Sequence, residues 1–267
     1  MANRSSSRWV LPIIVLAQFC CTSLWFAGNA ISPSLISTFD LPENSLGHIT
    51  SAVQFGFISG TLFYAIFNLA DRFSPSLVFM ISALLAGFFN LLLAAFDQSY
   101  LSILGLRFFT GFFLAGIYPV GMKIASDHYQ RLGRALGFLV GALVLGTALP
   151  HLIKGSLGSL PWQWVSYITT GLAVFGGLIL YLLVPNGPYH TPSQKLQLGA
   201  FFKVFSNLTF RKAAFGYFGH MWELYAFWAF VPVLLTFYQS EQIDLHFDVS
   251  IWSFVIIGIG SAGCVIG

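Results

Sequence analysis

The amino-acid sequence predicts an all-α, polytopic membrane protein, and three features predict it. Long apolar runs, separated by short polar joints, fill nearly all of the 267 residues. Roughly 20 helical residues at about 1.5 Å each cross the ~30 Å hydrocarbon layer, and the runs have that length. Charged residues make up only 8% of the chain, against about 25% in an ordinary soluble domain. The basic residues, finally, segregate. With the N-terminus cytoplasmic and the spans alternating, Arg4, Arg8, Arg72, Lys123, Arg131, Arg134, Lys195, Lys203, Arg211 and Lys212 fall on the cytoplasmic side. Lys154 alone falls outside, and Arg107 lies within a span. The outer loops carry Asp40, Glu43, Asp97, Glu241, Asp244 and Asp248. Lys and Arg near short loops set orientation while acidic residues contribute little. The expected location is therefore the cell inner (plasma) membrane, multi-pass, with a cytoplasmic N-terminus.

Eight spans follow in order: 8–31, 47–69, 76–95, 101–123, 135–153, 162–184, 213–237 and 250–267. The first follows Arg4 and Arg8 as a signal peptide would, but it outlasts the roughly 7–15-residue core of one. In it Trp25 and Asn29, four apart, share a face, and Pro33 is expected to end the run. Gln54 in the second span and Asn90 in the third add polar groups that could line a cavity or simply join helices. The fifth opens with Arg131-Leu132-Gly133-Arg134, and Gly137 and Gly141 form a small-residue ridge for close helix approach, with a bend at Pro150. The one longer joint, 185–209, holds Pro185, Pro188 and Pro192. Its basic, Phe-rich part, 198–205, is expected on the membrane surface, with Phe201, Phe202 and Phe205 in lipid and Lys203 in water. The expected organisation is a six-helix bundle over 1–185, a cytoplasmic linker over 186–210, and the start of a second bundle over 211–267. Because Gly267 falls inside an apolar run, the chain reads as C-terminally incomplete, against the alternative of a complete eight-helix protein.

Composition excludes several classes. A net charge of +3 points to no nucleic-acid partner, and no Walker loop supports direct use of ATP. Cys20, Cys21 and Cys264 lie in apolar runs and read as packing residues, neither disulfides nor a metal site. His48, His128, His151, His190 and His246 scatter without metal-ligand spacing, so no metal and no cofactor are expected. The sequons Asn3-Arg4-Ser5 and Asn207-Leu208-Thr209 fall on the cytoplasmic side and read as chance matches. Soluble enzyme chemistry has no motif here.

Two ionisable groups within spans are the candidates for function. Arg107 lies about seven residues inside the fourth span. An Arg at a helix centre costs about 2.5–3.5 kcal/mol on the translocon scale. It must therefore face the protein interior or water, or else snorkel to the outer surface. In the seventh span His220, Glu223 and Phe227 share one face, with Tyr217 before them and Met221, Trp222 and Tyr225 beside them. A carboxylate in low dielectric takes up a proton more readily. Glu223, tuned by His220, is accordingly a candidate protonation site, or else a neutral group hydrogen-bonded between helices.

After the second span stands Asn68-Leu69-Ala70-Asp71-Arg72-Phe73-Ser74-Pro75. Asp71 could cap a helix or meet Arg131 and Arg134 of the next cytoplasmic loop, or form an ordinary loop ion pair. Here the sequence resembles the major facilitator superfamily of secondary transporters, whose signature in this loop has a Gly, an Asp-Arg pair, an aromatic and a Gly followed by basic residues. Asp71, Arg72 and Phe73 match; Asn68, Ser74 and Pro75 depart. The fourth span adds Arg107, Gly111, Ala115, Gly116 and Tyr118-Pro119. In the fifth span, 146–150 only approximates the family's Gly- and Pro-containing motif, so export is not inferred. The segments Trp25-Phe26-Ala27-Gly28-Asn29 and His220-Met221-Trp222-Glu223 are similar to the nitrate and cyanate permease-like group, although nitrate itself is unsupported.

The resemblance implies two six-helix bundles that rock to expose a central cavity to each side in turn. It implies a small solute, an anion in view of Arg107, carried with protons by a protein that is a monomer when complete. By the resemblance substrate contact falls to Arg107 alone; read from the residues themselves, Trp25, Asn29, Gln54, Trp222 and Tyr225 are candidates to contact substrate beside it, and Glu223 and His220 are the candidates for proton coupling. Gating and structure fall to Asp71, Arg72, Arg131, Arg134, Gly137 and Gly141. A non-transporting sensor on the same scaffold and a membrane-embedded enzyme are the alternatives.

Overall fold

The computed structural model describes residues 8–158, 160–190, 203–242 and 246–266. Arg4, the Asn3 sequon, Lys195, the surface segment as far as Phe202, Asp244 and Gly267 lie outside the described residues. The regular structure among the described residues is all helix, with no strand. In order come α1 (Val10–Thr22), α2 (Ala27–Ala30), α3 (Ser32–Phe39), α4 (Ser45–Ile66), α5 (Leu69–Arg72), α6 (Pro75–Ala95), α7 (Tyr100–Leu114) and α8 (Tyr118–His128). Then follow α9 (Gly133–Ser156), α10 (Gln163–Leu183), α11 (Leu208–Glu241), α12 (Val249–Gly258) and α13 (Gly260–Ile266). Seven runs among the described residues are long and apolar enough to cross a membrane, with α7–α8 and α12–α13 each counting as one.

The first span departs from expectation. It is broken over residues 23–26, and Pro33 does not end it but occupies the first turn of α3, which runs on to Phe39. Proline suits that place because its missing N–H has no helical partner there. The break has local causes. The Thr22 hydroxyl donates to the Gln18 carbonyl at 2.8 Å and the Ser23 hydroxyl to the Cys20 carbonyl at 2.7 Å, back-bonding that competes with the helical ladder and bends helices. Leu24 and Trp25 then donate to the carbonyls three residues back, tightening the chain out of α-helix.

Other boundaries are capped by chemistry the sequence carries. The Asn207 side chain accepts from the backbone N–H of Thr209 and Phe210, so the apparent sequon serves as the N-cap of α11. Asp248 and Ser99 cap α12 and α7 in the same manner. Asn68, where the resembled family carries another residue, sits at φ 49°, ψ 41°, a left-handed conformation that asparagine tolerates better than most side chains. Pro75 begins α6 as a first-turn proline. Two of the three departures from the loop signature, Asn68 and Pro75, thus satisfy the local backbone.

Helix α4 packs on α7, α6 on α10 and α7, α1 on α9 and α10, and α12 and α13 on α9. The closest of these contacts is made by glycines. A Cβ on Gly56 would collide with the Phe108 carbonyl, on Gly60 with that of Phe112, and on Gly111 with that of Val53. Such reciprocal small residues let backbones meet without a hydrophobic driving force. Gly137 and Gly141 do likewise for α9, facing the Cys264 and Ser261 carbonyls of α13. The many phenylalanines interlock around this seam: Phe89 stacks on Phe109 and Phe113 at 5.0 and 5.7 Å. One buried cluster runs from α1 through α6, α9 and α10 to Trp228, Ala229 and Val231 of α11 and Ile257 of α12.

Gly56→Val and Gly111→Val are expected to lower the melting temperature of the detergent-solubilised protein markedly, overpacking costing about 1–3 kcal/mol. Gly105→Ala, whose added methyl meets open space, serves as the control and is expected to shift it little.

Candidate functional site

Arg107 organises the middle of the molecule. Its side chain is fully buried, at 0% exposure, so it does not snorkel. One terminal nitrogen donates to the backbone carbonyls of Leu24, at 3.1 Å, and Trp25, at 2.5 Å; the other donates to Asn90 Oδ1 at 3.4 Å. These are carbonyls of the break in the first span. Gly28 makes room for the contact, since a Cβ there would stand 2.8 Å from Arg107 Nε. Asn90, whose amide nitrogen donates to Ser166, Thr169 and Thr170 of α10, is held with its oxygen towards the guanidinium. Three helices and a helix break therefore converge on one cation. Its hydrogen bonds satisfy the protein's own acceptors, so Arg107 is seated as a structural clamp, with only Nε lacking a partner.

The break delivers Trp25 and Phe26 to α11. The Trp25 indole N–H donates to Gln54 Oε1 at 3.3 Å, and its ring stacks on Tyr225 with centroids 5.6 Å apart. Tyr225 also lies parallel to Phe26 at 6.5 Å, while Trp228 meets Phe26 edge-on at 5.9 Å. The amide nitrogen of Gln54 has no partner among the described residues. Of the residues singled out from the sequence, Trp25, Gln54 and Tyr225 thus come together, and Asn29 lies one turn beyond, bonded through its amide nitrogen to Thr50 Oγ1 at 2.7 Å.

Others are not brought in. Trp222 is 76% exposed, and His220 and Glu223 are exposed with no hydrogen bond or ion pair between them among the described residues. The cause lies along the helix. Full burial on α11 is confined to Trp228, Ala229 and Val231, with Met221, Leu224, Tyr225 and Ala226 half-covered, and His220, Trp222 and Glu223 lie on exposed positions of its earlier turns. A shared helical face does not say how far along the helix its neighbours reach.

The loop signature also finds a different partner from the expected one. Asp71 Oδ1 pairs with Lys123 Nζ at 2.9 Å, not with Arg131 or Arg134, which are exposed; Arg134 instead lies 5.8 Å over the Phe138 ring. Arg72 is exposed. Lys123 also meets Asp127 at 3.3 Å, and Asp127 takes His190 Nδ1 at 2.8 Å. Sequence reasoning overlooked Lys123, Asp127 and His190. The spacing of four between Lys123 and Asp127 on one helix was the available signal. It also overlooked Gln18, fully buried with neither amide atom partnered, and nothing in a lone glutamine on an apolar run marks it.

Fold and site together define a multi-pass membrane protein in which a broken first helix, pinned from the fourth span, presents aromatic rings to the seventh. The chain belongs to the Major Facilitator Superfamily, whose family model matches residues 14–267. Among similar proteins is an uncharacterized transporter, YgaY, of Escherichia coli O157:H7, 28% identical over 237 residues, covering 83% of this chain and 59% of the relative. The 4-hydroxybenzoate transporter PcaK of Pseudomonas aeruginosa is 32% identical over 131 residues, 45% of this chain and 29% of that protein. A bacterial homolog of the human lysosomal transporter Spinster, solved in an inward-facing and unoccupied conformation, matches with a TM-score of 0.66 over 98% of this chain and 61% of its own, at 18% identity, a likeness of fold. The chain thus spans about three-fifths of the length of YgaY and of the Spinster homolog.

Arg107→Gln is expected to destabilise the protein strongly, leaving the Leu24 and Trp25 carbonyls unpaired at about 1–3 kcal/mol per group. Asp71→Asn breaks a partly exposed pair and is expected to cost about 1 kcal/mol or less. Thermal unfolding of both variants in detergent checks the contrast.

Proposed function

We propose that the protein is a secondary transporter that carries a small organic anion, together with protons, across the inner membrane by alternating access, with its N-terminus in the cytoplasm. Membership of the superfamily supports transport. The observation that carries the proposal is the aromatic contact of Trp25 and Phe26 with Tyr225 and Trp228. It joins a helix break in the first span to the first helix of the proposed second bundle, over 211–267, beyond the proposed linker at 186–210. Flat rings can slide and part without leaving buried polar groups unpaired, which a rocking interface requires. A solute with an aromatic or planar body would replace one ring with another. The likeness to a 4-hydroxybenzoate transporter supports an aromatic carboxylate as the class to try first.

In this proposal Arg107 acts by positioning Trp25 and takes no direct part in solute contact. Trp25, Gln54, Asn29 and Tyr225 contact the solute, with Trp222 at the margin. The chain Asp71–Lys123–Asp127–His190 latches the cytoplasmic end, with Arg72, Arg131 and Arg134 at its rim. Glu223, with His220 nearby, carries the proton, which requires that its face of α11 be screened from lipid.

Vesicles holding the full-length protein test this. Uptake of radiolabelled 4-hydroxybenzoate is expected to saturate, to rise several-fold with an inward proton gradient, and to collapse with a protonophore. Trp25→Ala is expected to reduce it at least tenfold, the order of one lost aromatic contact plus its packing. Glu223→Gln is expected to keep exchange across the membrane while losing gradient-driven accumulation. Uptake no greater than in protein-free vesicles, for this solute and a panel of small organic anions, would refute the transport proposal.

A further inference from the structure

The segment that leads from α10 into the proposed linker is lashed to the first bundle at several points. The Ser76 hydroxyl donates to the Val184 carbonyl at 2.9 Å, and that of Ser74 to Asn186 Oδ1 at 2.8 Å. Gly187 lies directly against the end of α8, where a Cβ would collide with the Asp127 carbonyl. That carbonyl accepts from the Tyr189 N–H at 3.0 Å. The last carbonyls of a helix have no partner within it, so the segment 184–190 caps α8. At its end His190 Nδ1 meets Asp127 Oδ2 at 2.8 Å, and the His190 N–H closes a turn on the Gly187 carbonyl at 3.1 Å.

The charges around this contact balance only through His190. Asp71 and Asp127 are both carboxylates, and the ammonium of Lys123 meets them at 2.9 and 3.3 Å. A neutral His190 leaves this group with one negative charge in excess, and a protonated His190 makes it neutral. The carbonyl end of α8 adds its own negative potential, which favours a cation there. The other titratable and charged groups of the elements packed around His190 are engaged elsewhere or face water. His128 is buried and donates through Nδ1 to the Ile124 carbonyl at 2.9 Å. The Tyr129 hydroxyl accepts from the Leu11 N–H at 3.1 Å, and Arg72, Arg131 and Tyr189 are exposed. The Asp127 side chain is 8% exposed against 22% for that of His190. Water therefore reaches the imidazole, while the carboxylate is fixed on α8.

We propose that His190 and Asp127 form a pH-sensitive strap, which holds the root of the linker against the first bundle while the imidazole is protonated and loosens it when the proton is lost. Histidine is the side chain whose charge changes between about pH 5 and 8. Docking gives the imidazolium a carboxylate partner, so docking is favoured at acid pH and weakens as pH rises. A neutral imidazole keeps at most an ordinary hydrogen bond, about half as strong as a charge-assisted one. The strap deepens the transport proposal and rests on it for its use: two bundles that rock need slack in the segment joining them, and acid on that face of the membrane takes the slack away.

Amide hydrogen exchange over residues 184–190 of the full chain in lipid nanodiscs tests the strap, measured at about pH 5.5 and about pH 8 and corrected for the intrinsic effect of pH on exchange. In the parent, protection is expected to fall about fivefold from the acid to the alkaline condition, the order of a charge-assisted bond set against a neutral one. His190→Gln cannot take up a charge and is expected to show the lower protection at both. His190→Arg cannot lose its charge and is expected to show the higher protection at both. Parent protection that does not change with pH, the same change in His190→Gln, or no gain in His190→Arg over His190→Gln would overturn the inference. Peptides of α6 and α10 are expected to exchange alike in all three proteins, which separates release of the strap from unfolding. A pH effect that spreads through those helices would count against a local device. No solute is present, so the result is independent of vesicle uptake, by which the transport proposal is judged.

Discussion

A buried guanidinium bonded to the backbone of a broken helix is the constraint from which the rest of this molecule follows. Lipid offers a backbone carbonyl no hydrogen bond, so a break in a membrane helix persists only where protein supplies the missing donors. Here the freed carbonyls of Leu24 and Trp25 meet Arg107, and the charge in turn escapes the cost of standing alone in an apolar interior. Neither feature is tenable without the other. Gly28 is small because the guanidinium passes beside it, and Asn90 fixes the far side of the cation from a hydrogen-bonded seat on α10.

The break in turn changes what the first span can present. A continuous helix would send its side chains outward at 3.6 residues per turn; the turn over 23–26 instead places Trp25 and Phe26 together against Tyr225 and Trp228. Towards the opposite end of the spans, the ion pairs of Lys123 with Asp71 and Asp127 and the hydrogen bond of Asp127 to His190 tie the loop after α4 to α8 and to the segment after α10. Between these lies the glycine seam of α4 and α7, where three carbonyl contacts leave no room for a methyl group. Rigid packing within the bundle and ring-on-ring contact at its edge are the mechanical ingredients of a body that moves as a unit.

Much of the fold is legible in the sequence, because length and apolarity of a span are properties of contiguous residues. The runs at 76–95 and 162–184 agree with α6 and α10 to within a residue. The break in the first span is not legible, since Leu24, Trp25 and Phe26 are as apolar as their neighbours and a hydropathy window passes over them. The hydroxyls of Thr22 and Ser23 bend the chain locally, but the donor that keeps the break open, Arg107, is far away in sequence. The site is legible to the same limit: Arg107, Trp25, Gln54 and Tyr225 were identifiable as costly or amphipathic groups in lipid, and the structure brings the last three together. What one-dimensional spacing cannot supply is reach along a helix. Glu223 and His220 share a face of α11, but they lie on exposed positions, whereas His190, unremarkable in sequence, meets Asp127. Asp71 likewise needed the tertiary path of α8 to find Lys123 in place of Arg131 or Arg134.

Backbone amide hydrogen exchange of the full chain in lipid nanodiscs, compared between the parent and Arg107→Lys, tests the clamp most directly. Lysine keeps the charge but lacks the planar fork that spans two carbonyls and Asn90. Faster exchange confined to peptides covering residues 22–31 and the facing part of α11 is the predicted result. Unchanged protection there, or a uniform loss across all spans, would contradict the claim that this one cation holds the first helix open.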